Sequence, residues 1–479
     1  MFRAVFLLGA TTLALSAAGV ASAVVPLTTV STDPYTNQTS YHQTEVEPDT
    51  YSFGSTIVAA FQVGRFSDGG SSDLGWAAST DDGATWTNGF MPGTTIYADP
   101  PGPWARISDP SVTYDAEHDV WMVVGLVLDS HVSAHGLVVN RSTDGGLTWQ
   151  NPVDVSMNQG SYDKQWMTCD NTASSPFYGN CYVEWSGIGG IDMTRSTDGG
   201  LTWQESQTPG TFGSGGQPVV QNDGKVVVPF AGSGMQTIVS TNGGVSYSGP
   251  HSVASVSTHT PAGSLRAPLL PSAEVDGAGT VYLAWPDCRF RSGCPSNDIV
   301  MTTSADGDTW TPVVRIPIDA VTSTVDHFIP GIAADKSTQG STAHLGVTFY
   351  FYPKASCNSS TCKLQAGFVS SQDGGSTWSR PVKLVGPIRL TWLPFTTLGY
   401  MVGDYISTSF GDNGKAYPVI ANATTTPSCS TNQVGSCHEF MVAPTNGLLL
   451  GPDVAPVNPS ERVVVTPSSG RIPLPPLIR

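Results

Sequence analysis

The chain has 479 residues, of which 39% are hydrophobic and only 12% charged, with 52 glycines and 36 prolines. That composition excludes a disordered or coiled-coil chain and favours a turn-rich, mostly β fold. A formal net charge of −17, with only seven lysines, argues against nucleic acid as a partner.

Residues 1–23 read as a secretory signal. Arg3 supplies the positive end, "AVFLLGATTLALSAAGV" the apolar stretch, and Ala21 to Ala23 the small-residue cleavage site. The expected product is secreted, cut after Ala23. No later stretch has the ~18 apolar residues a membrane helix needs, so no membrane insertion is expected. Residues 24–40 read as a linker, 41–450 as one repeat-built domain, and 451–479 as a Pro-rich tail.

Within 41–450 a short segment recurs. "RSTDGGLTWQ" occupies 141–150 and again 195–204. Related copies are "STDDGATW" (79–86), "STNGGVSY" (240–247), "SADGDTW" (304–310) and "SQDGGSTW" (371–378). The shared form is Ser-x-Asp-x-Gly-x-Thr-Trp. Asp or Asn can hold backbone N–H groups two residues on, and Gly permits the positive φ of a tight turn. The indole buries area while its N–H seeks a partner. The segment therefore predicts a self-locked turn, structural rather than catalytic.

Each copy follows β-branched and aromatic runs. In chain order these are "STIVAAFQVG", "DVWMVVGLVL", "NCYVEWSGI", "KVVVPFAGSG", "TVYLAWPDCR" and "AHLGVTFYFY". The plan is strand, turn, strand, loop, strand, locked turn, strand: a four-stranded antiparallel blade. The first five copies stand 63, 54, 44 and 64 residues apart, a period that means a β-propeller. Six copies imply at least six blades. A seventh strand-rich unit at 403–446 has no copy, and seven blades are favoured over six. The N-terminal segment or the tail would supply a strand to close the ring.

Eight cysteines form four local pairs: Cys169 with Cys181, Cys288 with Cys294, Cys357 with Cys362, and Cys429 with Cys437. In an oxidising compartment these are expected disulfides. No CxxC pair or finger-spaced His supports zinc instead. The last three pairs fall between the second and third strands of their blades. No cofactor is expected: calcium is an open option, but no D-x-D-x-D-G loop is present.

The repeated turns match the Asp-box, or bacterial neuraminidase repeat, of sialidases. Over residues 40–446 the chain resembles a secreted bacterial sialidase-like propeller. The resemblance implies a seven- or six-bladed ring with the boxes on one face and chemistry on the other. It also implies three Arg on a substrate carboxylate, a Tyr nucleophile activated by Glu, and an Asp acid/base. The family's first Arg opens blade one in an Arg-Ile-Pro motif; here Glu47-Pro48 stands in that place, and "RIP" occurs instead at 315–317 and 471–473. Arg65 fits a second family arginine, with Asp73 following as a candidate acid.

Polar clusters at blade handovers should reach the face opposite the boxes. They are "TEVEPD" (44–49), "ARISDPS" (105–111), "YDKQW" (162–166), "GDYIS" (403–407) and, in a stapled loop, "WPDCRFR" (285–291). Catalytic candidates are Tyr405 as nucleophile, Glu184 as its partner, Asp73 and Asp163. Substrate-binding candidates are Arg65, Arg106, Arg289, Lys164, Asp287 and Asp404, with Glu47 and Asp109 nearby. Each also has a structural reading: Asp109 and Asp163 as turn caps, Arg289 and Asp287 as a loop salt bridge, Tyr405 as a core ring. The function expected is that of a glycoside hydrolase (exo-α-sialidase-like), or a related carbohydrate-active protein, acting on terminal sugars. Its partner would be a glycan or glycoconjugate. The alternative is a non-catalytic extracellular propeller that binds glycan or protein; a polysaccharide lyase is a third option.

Overall fold

The computed structural model describes residues 25–157, 160–426, 429 and 434–452, with strand pairs at 455–456 and 462–463. The expected leader, 1–23, and most of the tail lie outside these residues. The protein is an all-β propeller. Among the described residues the strands group into seven four-stranded antiparallel units, at 45–90, 106–157, 166–205, 219–254, 272–315, 326–389 and 407–444. The first two units are joined at one pair, Ser71 with Ile107. The seventh has three strands of its own and takes its fourth from the expected linker: Leu27–Thr29 pairs antiparallel with Glu439–Pro444. First strands pack on one another around a central axis.

The apolar runs become the second strands, such as Thr56–Arg65 and Val120–Leu128. They are continuous rather than alternating because both faces of a blade are covered. Trp121 and Val123 pack against Val58, Ala60 and Trp76 of the first blade. Val120, Met122 and Val124 point the other way, onto Met167, Val183 and Trp185 of the third. The two-residue period of a strand sends alternate side chains into two different inter-blade cores. The last core joins Ala59 and Phe61 of blade one to Val419 and Ile420 of blade seven, with Val30 of the closing strand. Closure packs the inner strands together, while outer strands such as Val382–Arg389 remain blade edges.

All six repeated turns connect third to fourth strands. In the copy at 142–149, Ser142 Oγ donates to Asp144 Oδ1 at 2.8 Å and accepts from the Gly146 N–H at 3.0 Å. Asp144 accepts the Thr148 N–H at 2.9 Å and hydroxyl at 2.6 Å, and Trp149 Nε1 donates to the Gly146 carbonyl at 3.0 Å. The variant copy keeps the pattern, with the Asn242 amide donating to Ser246 Oγ at 2.9 Å.

The four expected disulfides form. Three of them staple loops between second and third strands, on the face away from the locked turns. Cys288 bonds Cys294 in blade five, Cys357 bonds Cys362 in blade six, and Cys429 bonds Cys437 in blade seven. These six cysteines hold loops and take no part in the site described below. Cys294 closes its loop with a left-handed φ of 53°, its N–H donating to the Arg291 carbonyl at 2.9 Å. Cys362 packs into the core between blades six, seven and one, and Cys437 packs with Cys429 against Tyr41. Cys169 and Cys181 instead clamp the first and second strands of blade three, as cross-strand partners. Four disulfides fit an oxidising, extracellular setting. Among the described residues no helix is long and apolar enough to cross a membrane.

Candidate functional site

First strands begin on the face opposite the locked turns, and four begin with a bend. Glu47, Asp109, Lys164 and Ile329 have left-handed φ values of 57°, 52°, 50° and 51°. In three of these the next residue is proline (Pro48, Pro110, Pro330), and the strand register slips there. Non-glycine residues avoid this conformation at a cost of about 1–2 kcal/mol each, and such outliers concentrate at functional sites. In blades one to three the bent residue is charged.

Those three side chains enter one cluster. Glu47 accepts a hydrogen bond from Gln62 Nε2, and its Oε1 accepts the Asp404 N–H at 3.3 Å. Asp109 accepts Ser108 Oγ at 2.9 Å and the Lys164 N–H at 3.0 Å. Arg65, fully buried, donates from Nη1 to Gln62 Oε1 at 2.9 Å. Arg266 grips Asp404, its Nε 2.7 and 2.9 Å from the two carboxylate oxygens and its Nη2 on the second. The Lys164 ammonium lies 4.1 Å from the Trp166 ring centre and 4.0 Å from that of Tyr405, a desolvated cation–π arrangement.

Glu184 sits across the strand pair from Trp166 and so shares its face. Its Oε1 accepts the Gly216 N–H at 3.2 Å, while Oε2 is buried without a hydrogen-bond partner. Only glycine allows that approach: a Cβ on residue 216 would come within 2.3 Å of the Glu184 carboxyl carbon. The protons follow from this crowding. Burial, with Asp109 and Asp404 nearby, pushes the Glu47 carboxyl well above its usual range, against the pull of Arg65 and Arg266. Burial does the same to Glu184, against Lys164. Burial lowers Lys164 even though Asp109 and Glu184 favour its charge.

Above this cluster opens a pocket of about 250 Å³, lined by Asp109, Asp163, Lys164, Arg266 and Asp404 among others. One wall is the loop 255–271 between blades four and five. It reaches across to the segment before blade seven, where the Arg266 N–H donates to the Tyr400 carbonyl and the Tyr400 N–H to Ser264, both at 2.8 Å. A larger opening, about 470 Å³, lies at the locked-turn end of the axis. Glu274 and Lys336 line it and feel each other's charge, with Lys336 Nζ 3.0 Å from the Tyr51 hydroxyl. The smaller pocket is the better candidate because charged groups from four blade entries line it, with Glu47 and Arg65 of blade one buried close by.

The structure thus gathers Arg65, Asp163, Lys164, Glu184, Asp404 and Tyr405, with Glu47 and Asp109. Four expected residues are elsewhere. Asp73 accepts the Tyr35 hydroxyl at 2.8 Å and Thr94 Oγ1 at 2.6 Å, and burial raises its carboxyl to about 7. Arg106 ties loops together through Asp68 and the Ser130 carbonyl and covers the Phe66 ring. Arg289 and Asp287 pair with each other inside the stapled loop, Nη2 to Oδ2 at 2.6 Å. The Tyr405–Glu184 pair does not form: the Tyr405 hydroxyl donates to the Pro110 carbonyl at 2.9 Å, and burial with Glu47 and Asp109 nearby raises its pKa. A phenol in that setting is held protonated rather than activated.

Sequence reasoning missed Arg266 and Gln62, and marked the segment 162–166 without singling out Trp166. Arg266 carries no motif, but its loop is a blade handover like the others, and that position was the available signal. The Arg315 of "RIP" lies outside the cluster in a buried network: its Nε is 2.8 Å from Asp298, and Arg291 Nη2 is 2.5 Å from the same oxygen. Asp298, Asp319 and His327 converge there with metal-ligand spacing, but the two guanidinium groups already neutralise both carboxylates.

No protein-family model matches this chain, and no curated protein does. Solved structures do. A Hadza microbial sialidase aligns with 68% of this chain and 66% of its own at 17% identity, TM-score 0.44. A Trypanosoma rangeli sialidase in complex with sialic acid aligns over 74% and 60% at 15% identity, TM-score 0.43. The chain therefore spans slightly under two thirds of the length of these two. The phi92 phage endosialidase aligns over 90% of this chain and 70% of its own at 11% identity, TM-score 0.50. At such identities the likeness is one of fold, and the fold is that of the sialidase-like propellers.

Proposed function

We propose that this sialidase-like propeller is a glycoside hydrolase whose reaction takes place in the axial pocket. One observation carries the reading: Asp109 and Asp163, from the entries of consecutive blades, line the same pocket, with the Glu47 carboxyl buried close to Asp109 and its proton affinity raised by burial. Glycosidic cleavage needs one carboxyl that gives a proton and one that takes or attacks. Asp109, which touches the pocket and whose charge reaches Glu47, gives the proton to the leaving oxygen. Asp163 is the second carboxylate, at the anomeric carbon or on a water. Lys164 and Arg266 orient hydroxyl groups and balance the charge. Tyr405 is a wall residue in this scheme.

A panel of fluorogenic terminal glycosides, a sialoside among them, tests it at pH 4 to 8. Release above blank that disappears in Asp109→Asn supports the reading; no release at any pH sinks it. A second reading, a sugar-binding propeller without turnover, is favoured by the internal pairing of Arg266 with Asp404 and of Tyr405 with Pro110. Binding of the same sugars without release would select it.

A further inference from the structure

The two cations on the pocket wall stand among acids of the protein itself, and this bears on which sugar can enter. Capturing a carboxylate takes a guanidinium or ammonium with donors to spare. Arg266 is the guanidinium on the pocket wall, and its Nε and Nη2 are bound to Asp404. Arg65 has an unpartnered Nε but is 1% exposed and does not line the pocket, so a ligand there does not reach it. The Lys164 ammonium lies against both Trp166 and Tyr405, whose rings meet edge to face, and stands in the field of Asp109, Glu184, Glu47 and Asp49.

The wall itself presents three carboxylates, Asp109, Asp163 and Asp404, against two cations. A carboxylated sugar would have to displace Asp404 from Arg266 and then face Asp109 and Asp163. Hydroxyl groups meet no such barrier. Acidic side chains, together with the hydroxyls of Ser214 and Thr260, accept and donate to them. Leu265, Pro268 and Leu270, from the loop that carries Arg266, give the pocket an apolar lining that suits the C–H face of a sugar ring. A volume of about 250 Å³ holds a single ring.

We propose that the sugar bound in the axial pocket carries no carboxylate: it is a neutral or amine-bearing terminal residue. This rests on the pocket being the sugar site, as argued above, but not on turnover. Titration calorimetry with methyl glucoside, methyl glucosaminide, methyl glucuronide and methyl sialoside compares rings that differ in charge; glucoside and glucuronide differ only at C6. The expected result is a Kd at least tenfold lower for glucoside or glucosaminide than for glucuronide or sialoside. Asp404→Asn, shown folded by its melting curve, releases Arg266 and should tighten glucuronide binding at least fivefold. Acid sugars bound as well as neutral ones by the native protein would overturn the inference, as would no gain in the folded variant. Release of a carboxylated sugar by the native protein would keep the hydrolase and overturn the inference. Binding of neutral sugars without release of any glycoside would do the reverse. Failure to bind any member of the set would overturn both.

Discussion

The two ends of the propeller use the same side chain in opposite ways. In the locked turns, Asp81, Asp144, Asp198 and Asp373 are exposed or partly so, and hydrogen bonds from Ser, Thr and backbone N–H groups outweigh what burial they have, holding their pKa values low. Asp306 falls to about 2, chiefly through the N–H groups of Thr309 and Asp308. On the axial side, burial wins. Asp49 rises to about 6 despite accepting the Val112 N–H, and burial also pushes Glu47 and Glu184 well above their usual range. The chemistry of a carboxyl is set by the balance of donated hydrogen bonds against lost water. One end uses that balance to lock the frame; the other stores protons and strain, as sites do at the expense of stability.

The contrast can be broken most sharply at Asp109. Asp109→Asn should lower turnover 10²- to 10⁴-fold, the usual worth of acid–base assistance, with a small change in melting temperature. Steady-state kinetics beside a thermal melt reads both. If turnover is untouched, the axial carboxyls are not the machinery. The frame end should respond in the other currency. Trp378 is fully buried in its locked turn, and Trp378→Ala should cost about 3–5 kcal/mol in a urea titration. Trp149, half-buried in its copy, should cost clearly less on the same change.

The pH dependence of stability sharpens the comparison. Glu45, Asp73 and Glu274 have folded pKa values raised to about 8, 7 and 7, chiefly by burial. Between pH 4 and 8 the folded state therefore holds more protons than the unfolded one. Their contribution is whole below the unfolded carboxyl range and lost as pH rises through the folded values. The locked-turn aspartates have the opposite sign: their contribution is whole above pH 4 and lost as pH falls towards 2. Urea midpoints should thus rise as pH drops from 8 to about 4.5 and fall again below 4. A monotonic profile would mean that one end dominates. The smallest effect is expected at the variant turn. Asn242→Asp should add about 0.5 kcal/mol at pH 7 by giving Ser246 a charged acceptor, and Asp144→Ala should remove about 1–2 kcal/mol, both without altering turnover.

Legibility followed the same division. The locked turns, the strand runs between them and the four short cysteine pairs were readable because each is held by contacts within about a dozen residues. Glu47, Asp109 and Lys164 were readable as places, since acid–Pro or charged residues at blade handovers announce the bends. Their company was not. Arg266 meets Asp404 across 138 positions of sequence, and no local pattern marks either for the other. Asp287 and Arg289 looked like site residues and turned out to satisfy each other two positions apart.

What the sequence determined alone is the repeating unit: a turn closed by its own Ser, Asp, Gly and Thr, and strands apolar on both faces that demand a neighbour on each side. Ring closure through Leu27–Thr29, the bridge of loop 255–271 to the blade-seven entry, and the raised proton affinity of Glu47 and Glu184 were decided only in three dimensions. Hydrogen bonds inside a turn depend on residues three or four apart, whereas desolvation and charge coupling depend on everything packed nearby, whatever its place in the chain.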